Sequence, residues 1–325
     1  MVRFAILSFA ALMLKLGFVL EMEMFMLAHS VAVVNDKPVI GVLSLPPIDS
    51  YGKLKGYGSH IIVASYVKWL ESAGARVVPV EHDASESEIK DLLGQLNGVL
   101  FTGGDAVITS THPVGQAQRT IIDYALDEAA NGNVFPVWGT CLGFEGLIIH
   151  HGNATLTSTN TTCDVLPIKF SVPKRDSYLL KDIPSYVQST LTKDSVTINM
   201  HHQGLTTKNF RDSKELKENW RELATSKKGN IEFVTMVESR KGHLMGTQFH
   251  PEKNGYEFSQ KWDTAKGVHS ANAVQSMAWF SRRFIDYARQ STHSFSSFDD
   301  SDVHQKKLIH THNLIPPHVE WTFVW

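Results

Sequence analysis

The stretch that decides the fold covers residues 135–152 and reads FPVWGTCLGFEGLIIHHG. A short apolar run leads into the motif GTCLG at residues 139–143, after which apolar residues recur at helical spacing. A cysteine framed by glycines between a strand and a helix has the form of a nucleophile elbow, because glycine permits a sharp turn that larger residues obstruct. The following helix would direct its positive end at the sulfur of Cys141, which favours the reactive thiolate. The alternative is a buried structural cysteine in a tight turn.

Segments with strand and helix patterns alternate on the amino-terminal side of this stretch. The patterns predict strands at residues 37–45, 75–80 and 98–104, and helices at 61–74, 85–96 and 116–133. Ser85 and Glu88 have the spacing of a capping box at the second helix. After residue 155 shorter strand-like runs follow, and residues 268–290 form an amphipathic pattern typical of a closing helix. The alternation predicts an α/β fold: a three-layer sandwich with a central, mostly parallel sheet.

Composition and charge argue against a nucleic-acid-binding protein, and the spacing of the histidines argues against a zinc protein. The chain has 325 residues, of which 42% are apolar, and a net charge of −2 from 31 basic and 33 acidic residues. This balance does not indicate a nucleic-acid partner. The adjacent histidines at 150–151 and 201–202 lack the spacing of a zinc site, so neither a metal nor another cofactor is expected. Cys163, the second of two cysteines, has no partner in the chain if Cys141 is a working thiol.

The first 32 residues have a basic residue near the start, an apolar segment and small residues at its end. This arrangement is typical of a secretory signal peptide, with a membrane anchor and a misassigned start as alternatives. No later stretch is long and apolar enough to suggest a membrane span. Glycosylation triplets begin at Asn153 and Asn160, which agrees with a secretory route. Residues 291–325 are polar and then aromatic, and are expected to form a loosely ordered tail.

A base for the thiol is predicted in the segment MGTQFHPE, residues 245–252. His250 follows a strand-like run and could take the proton of the thiol, while Glu252 could hold the imidazole in the useful tautomer. The pair at Gly103 and Gly104 ends another strand and could present bare backbone N–H groups, which with the N–H of Leu142 would form an oxyanion hole. Taken alone, His250 also fits a structural histidine, and the glycine pair fits an ordinary turn. The catalytic interpretation of both is favoured because the nucleophile elbow occurs in the same chain.

These residues belong to six blocks, spread in order over residues 37–290, that resemble the γ-glutamyl hydrolase family. The blocks read PVIGVLSLP, ASYVKWLESAGARVVPV, LNGVLFTGG, FPVWGTCLGFEGL, NMHHQGLTTKNF and TQFHPEKNGYEF. This is peptidase family C26, within the class I glutamine amidotransferase-like superfamily, which has a flavodoxin-like fold. The resemblance makes residues 33–290 the catalytic domain.

The resemblance implies a cysteine nucleophile at Cys141, a catalytic histidine at His250 and Glu252 in the third position. Glu145 matches a glutamate that the family carries near the site, and His201 matches a histidine of its substrate pocket. The implied reaction is hydrolysis of γ-glutamyl bonds in folylpoly-γ-glutamates through a thioester, without a cofactor. The family also implies a homodimer and a lysosomal, vacuolar or extracellular location. Basic groups should meet this polyanionic substrate, and the candidates are Lys68, Lys208 and Lys253.

Two rival interpretations remain open at the level of the sequence. A glutaminase of the glutamine amidotransferase type shares the elbow and the His-Pro-Glu segment, and would act on another γ-glutamyl substrate. A secreted glycoprotein could have kept the fold and lost catalysis, although the intact Cys141, His250 and Glu252 oppose this.

Overall fold

The computed structural model describes residues 35–47, 58–258, 267–295, 307–315 and 322–325. The predicted signal peptide, residues 1–32, lies outside the described residues. Within them the strands are β1 (Val39–Leu43), β2 (Ile61–Val63), β3 (Arg76–Val80), β4 (Gly98–Phe101), β5 (Val137–Thr140), β6 (Thr157–Leu166), β7 (Lys169–Phe170), β8 (Thr197–Gly204), β9 (Trp220–Lys228), β10 (Ile231–Ser239), β11 (Leu244–Thr247), β12 (Asn313–Ile315) and β13 (Thr322–Val324). The α-helices are α1 (Ala64–Glu71), α2 (Glu86–Leu93), α3 (Pro113–Ala130), α4 (Leu142–His150), α5 (Ser185–Lys193), α6 (Thr207–Asp212), α7 (Lys214–Asn219), α8 (Lys253–Tyr256) and α9 (Ala271–Ala288).

An eight-stranded sheet forms the centre, with the strand order β3-β1-β4-β5-β11-β10-β9-β7. The first five strands in this order are parallel to one another, and β10, β9 and β7 continue the sheet in antiparallel pairs. Two smaller sheets accompany it: β6 pairs with β8, and β2, β13 and β12 form a three-stranded sheet. The prediction of a mostly parallel central sheet is confirmed.

Side chains of the central strands alternate between two hydrophobic cores, one on each face of the sheet. In β4, Val99 and Phe101 pack into one core and Leu100 into the other, as period-two alternation requires. The helices α2, α3 and α4 cover the first face, and α1, α5 and α9 cover the second. The protein is therefore a three-layer α/β sandwich, as the sequence predicts.

Most predicted elements occur within a few residues of their expected positions. The capping box at α2 is present, since the Ser85 hydroxyl accepts from the Glu88 backbone N–H and the Glu88 carboxylate accepts from the Ser85 N–H. One predicted helix, at 61–74, divides into strand β2 and helix α1. Apolar spacing in this segment fits a helix, but β2 is a strand because it pairs with β13, about 260 residues later in the chain.

The prediction of a loosely ordered tail does not hold for residues 307–315 and 322–325. Strand β13 pairs with both β2 and β12, with Phe323 opposite Ile62. Phe323 is buried in one hydrophobic core and Val324 in the other. These apolar contacts hold the end of the chain in place, although the residues that precede it are mostly polar. The predicted boundary between a catalytic domain at 33–290 and a separate tail stays a prediction.

Candidate active site

Three neighbouring strands end at the same edge of the central sheet and carry the predicted catalytic groups. Phe101 of β4 lies opposite Gly139 of β5, and Thr140 of β5 lies opposite Thr247 of β11. Because these strands are parallel, the residues that follow them emerge side by side. Gly103, Cys141 and His250 each come within three residues of a strand end, so the sheet brings together segments that are far apart in sequence.

Cys141 occupies the sharp turn that the glycines predict. Its backbone has φ 52° and ψ −107°, a strained conformation for a residue with a side chain, and it immediately precedes α4. A Cβ atom on Gly143 would lie 2.3 Å from the carbonyl oxygen of Phe101, and one on Gly139 would lie 2.5 Å from that of Gly143. The two glycines therefore frame Cys141 because strand and helix backbones approach each other too closely for any side chain.

Cys141 lines a cavity of about 610 Å³, and the residue is only 4% exposed. It donates to the Met200 carbonyl oxygen at 3.7 Å. Burial raises the pKa of the thiol far above its ordinary value, and the charges of Glu145 and Glu252 raise it further. The N–H of Leu142 at the start of α4 acts in the opposite direction, as the sequence predicts, but burial outweighs it. The free thiol is thus protonated and depends on a base.

His250 is paired with a carboxylate that has no exposure to solvent. Its Nδ1 lies 2.7 Å from Oε1 of Glu252, which leaves Nε2 as the ring nitrogen able to accept a proton. Burial alone would raise the pKa of Glu252, but the charge and hydrogen bond of His250, with Lys253, hold this pKa below its ordinary value. A Cβ built on Gly103 would lie 2.7 Å from His250 Cε1 and 3.1 Å from Cys141 Cβ, so imidazole and cysteine flank one point.

The two predicted oxyanion donors also line the cavity. Gly104 has a φ of 153° and Leu142 begins α4 directly after the cysteine. The N–H of the adjacent Gly103 donates to the Tyr66 hydroxyl at 2.8 Å, which makes Gly104 the better candidate of the glycine pair.

Glu145 and His201 both lie in the cavity wall, Glu145 on α4 directly after the cysteine and His201 on β8. Burial raises the pKa of Glu145 to about 7, against a hydrogen bond from Gln248 at 3.0 Å that lowers it. Burial lowers the pKa of His201 to about 4, so its imidazole is neutral near neutral pH. The ring of His201 is fixed by the hydroxyls of Thr159 and Thr161, at 3.0 and 2.9 Å from Nδ1.

Sequence reasoning missed Tyr66, whose hydroxyl lies 3.3 Å from Nδ1 of His250 and joins the base to the loop after β4. Its place in one of the matching sequence blocks was the available signal. Of the three candidate lysines, Lys253 lines the cavity and pairs with the buried Glu257, which accepts from Ser65 at 2.6 Å. Lys208 is exposed and pairs with Asp212, and neither it nor Lys68 is among the cavity-lining residues.

The two predicted glycosylation acceptors, Asn153 and Asn160, are exposed and have left-handed backbone angles, with φ of 48° and 53°. Among the described residues, no helix combines the length and apolar character that crossing a bilayer requires.

The fold and the site place a buried cysteine beside a histidine–carboxylate pair at the carboxyl edge of a mostly parallel sheet, and so define a hydrolytic enzyme of the α/β class. The peptidase C26 family matches residues 38–252, and the chain belongs to this family. It is 36% identical to the gamma-glutamyl hydrolase of Mus musculus over 81% of each chain. It is 35% identical to gamma-glutamyl hydrolase B of Dictyostelium discoideum, over 86% of this chain and 79% of that one. A solved structure from Thermoplasma acidophilum, provisionally assigned to GMP synthase, is 13% identical with a TM-score of 0.44, over 77% of this chain and 96% of that chain.

Proposed function

We propose that this enzyme hydrolyses γ-glutamyl bonds in folylpoly-γ-glutamates through a thioester on Cys141. The relatives named gamma-glutamyl hydrolase support the bond type. The observation that carries the proposal is the convergence of Cys141 and the His250–Glu252 pair on one point of a single cavity.

Acylation begins with proton transfer from Cys141 Sγ to Nε2 of His250, which the raised pKa of the thiol makes necessary. The sulfur attacks the carbonyl carbon of the γ-amide. The carbonyl oxygen becomes an oxyanion, which the N–H groups of Gly104 and Leu142 stabilise. Glu252 stabilises the imidazolium that forms. His250 then returns the proton to the departing amine, and the carbon–nitrogen bond breaks.

Deacylation reverses these roles with water as the nucleophile. Neutral His250 accepts a proton from water while the water oxygen attacks the thioester carbonyl. His250 then returns that proton to the sulfur when the carbon–sulfur bond breaks. The products are a shortened folate conjugate and glutamate or a glutamate peptide, and Cys141 is regenerated as a thiol.

The charge of the cavity wall bears on how much of the substrate enters. Lys253 is the lysine of the lining, whereas Asp105, Glu145 and Glu257 are acidic. Glu257 is paired with Lys253, but Asp105, and Glu145 above its pKa of about 7, would repel a run of carboxylates. We therefore propose that the cavity holds the scissile glutamyl unit near Lys253 and that the remaining glutamates stay outside.

The test compares pteroylpentaglutamate with glutamine as substrates for the wild type, Cys141→Ala and the matched thiol control Cys163→Ala. Cys163 is partly exposed and does not line the cavity. We expect the wild type and Cys163→Ala to cleave the pentaglutamate, with a thioester adduct visible by mass spectrometry after acid quenching, and Cys141→Ala to be inactive yet folded. Preferential turnover of glutamine would favour the glutaminase alternative, and activity in Cys141→Ala would contradict the thioester mechanism.

We further propose that the protein is a homodimer that enters the secretory pathway and reaches a lysosome, a vacuole or the extracellular space. The leader-like residues 1–32 and the exposure of Asn153 and Asn160 support the secretory route. Expression in a eukaryotic secretory host should give intact masses that fall when Asn153→Gln or Asn160→Gln removes an acceptor. Light scattering on the purified protein measures the oligomeric state, and a monomer at micromolar concentration would contradict the dimer.

A further inference from the structure

Two buried histidines and an aspartate meet at the carboxyl edge of the central sheet, beside β1 and β3. His60 directly precedes β2, whereas His82 and Asp83 follow β3. One ligating atom from each of the three residues lies within 4.8 Å of the others. The 22-residue separation of the histidines carries no zinc signature, so the cluster arises from the fold and not from sequence spacing.

Each histidine is oriented by a serine hydroxyl on the same ring nitrogen. Nδ1 of His60 lies 3.0 Å from Ser59 Oγ, and Nδ1 of His82 lies 3.1 Å from Ser44 Oγ. The Ser44 hydroxyl also accepts from the backbone N–H of His82, which fixes its position. Each ring therefore keeps Nε2 for a partner other than a serine, and for His60 that partner is at present Asp83. Histidines that bind metals characteristically direct their other ring nitrogen to such a polar partner.

The two histidine rings are held by aromatic contacts, whereas Asp83 faces solvent. The rings of His60 and His82 are 4.9 Å apart, and the indole of Trp325 stacks on His60 at 5.3 Å. The Trp325 indole N–H donates to Glu81 at 2.9 Å, which holds it in place. The side chain of Asp83 is 48% exposed, so an ion can reach the cluster from solvent without opening the fold.

We propose that His60, His82 and Asp83 form a binding site for a divalent transition-metal ion of the zinc type. The ligand set is two imidazole nitrogens and one carboxylate oxygen, with water in a fourth position. Tetrahedral zinc places such ligands roughly 3.3 Å apart. The three ligand atoms lie within 4.8 Å of one another, so binding requires them to draw closer, and Asp83, the most exposed of the three residues, has the most freedom to move.

Metal binding replaces one existing contact. Nε2 of His60 now pairs with Asp83 Oδ1 at 2.7 Å, and coordination would require the His60 proton to lie on Nδ1. The Ser59 hydroxyl suits either arrangement, because it can donate to Nδ1 or accept from it. The ion would join the end of β3 to the start of β2, and through β2 to the C-terminal strand β13. It should therefore stabilise the fold by mass action.

The experiment uses the full secreted chain carrying Cys141→Ser, so that the catalytic thiol cannot bind the ion. After treatment with a chelator, zinc chloride is titrated against a chromophoric competitor, and cobalt chloride is added for absorption spectra. The variants His82→Gln and Asp83→Asn are compared in this background with His112→Gln, an exposed histidine outside the cluster. Asp83→Asn changes a side chain that is half exposed, so loss of folding does not confound it.

We expect one zinc equivalent in the background protein and in His112→Gln, with a higher melting temperature. Affinity should fall roughly tenfold or more in His82→Gln and in Asp83→Asn. Cobalt should give visible bands of a tetrahedral site without the near-ultraviolet band of a cobalt–thiolate bond. No binding, equal affinity in all the variants, or a thiolate band would overturn the proposal.

Discussion

At the scale of the residue, Cys141 is subject to opposing influences. The start of α4 favours the thiolate, whereas burial and two carboxylates favour the thiol. Burial prevails, so in the proposed mechanism the thiolate is formed only when His250 takes the proton. That mechanism relies on the Glu252 carboxylate to orient the imidazole and to stabilise its charged form.

The first prediction concerns Glu252→Gln. We expect kcat to fall roughly 10²- to 10⁴-fold, because the amide cannot stabilise the imidazolium. KM should change little, since Glu252 is 0% exposed and does not reach the substrate. Steady-state kinetics on pteroylpentaglutamate measure both constants. Glu238→Gln, a change at another fully buried carboxylate outside the cavity, is the control for stability. Equal loss of kcat per folded enzyme in the two variants would refute the positioning role.

The second prediction concerns Glu145, whose pKa is raised to about 7 by burial. Between the ordinary carboxyl value of 4.5 and about 7, the folded state keeps a proton that the unfolded state releases. The free energy of unfolding should therefore decrease as the pH rises through this window and level off above it. The total decrease is about 3 kcal/mol from 1.36 kcal/mol per pH unit.

Glu145→Gln removes the titrating group and should flatten this dependence. Urea unfolding of both proteins at pH 5 and pH 8 checks it, with Cys141→Ser as the common background. The same pH dependence in both proteins would show that Glu145 is not its source.

At the scale of the element, the elbow depends on how closely α4 approaches β4. In Gly143→Ala the new Cβ would meet the Phe101 carbonyl oxygen at 2.3 Å, so the helix must move. We expect a loss of stability of about 1–3 kcal/mol and at least a tenfold loss of kcat, because the helix carries Cys141 at its start. Gly94→Ala is the matched control, since its Cβ would have 3.8 Å of clearance. The prediction fails if thermal melting and activity of the two variants are alike.

Strands and helices that depend on local pattern could be predicted from the sequence, and those that depend on distant partners could not. The residues of α2 carry their own cap and apolar face, so the helix was predictable. Strand β9 mixes charged and apolar residues and becomes a strand through its long pairing with β10. Strand β2 has a helical apolar pattern, and its pairing with β13 overrides this pattern.

The same division applies to the candidate site. Cys141 and His250 stand in short motifs whose chemistry can be inferred from neighbouring residues. Tyr66 lies on α1, which covers the face of the sheet opposite to that covered by α4. Its contact with His250 exists only after the sheet is assembled. The opposing effect of burial on the thiol was also out of reach, because burial is a property of the folded chain.

At the scale of the whole molecule, the last strand of the described chain, β13, pairs with β2 from the amino-terminal part. Strand β13 pairs with β2, and β2 leads directly into α1, which carries Tyr66. Strand β13 therefore affects the position of Tyr66, which contacts His250, although β13 lies in a small sheet outside the central one.

The last prediction tests this linkage with Phe323→Ala. Phe323 is 4% exposed and packs in the same core as Tyr66 and Ile62, so its truncation should lower the free energy of unfolding by about 3 kcal/mol. Loosening β2 should also reduce kcat, because α1 positions Tyr66 beside His250. Leu314→Ala in the neighbouring β12 is the control, since Leu314 is 44% exposed and should cost about 0.5 kcal/mol or less. Urea unfolding and steady-state kinetics of both variants test this prediction. Equal effects in the two variants would mean that β13 contributes neither to the stability of the fold nor to the position of Tyr66.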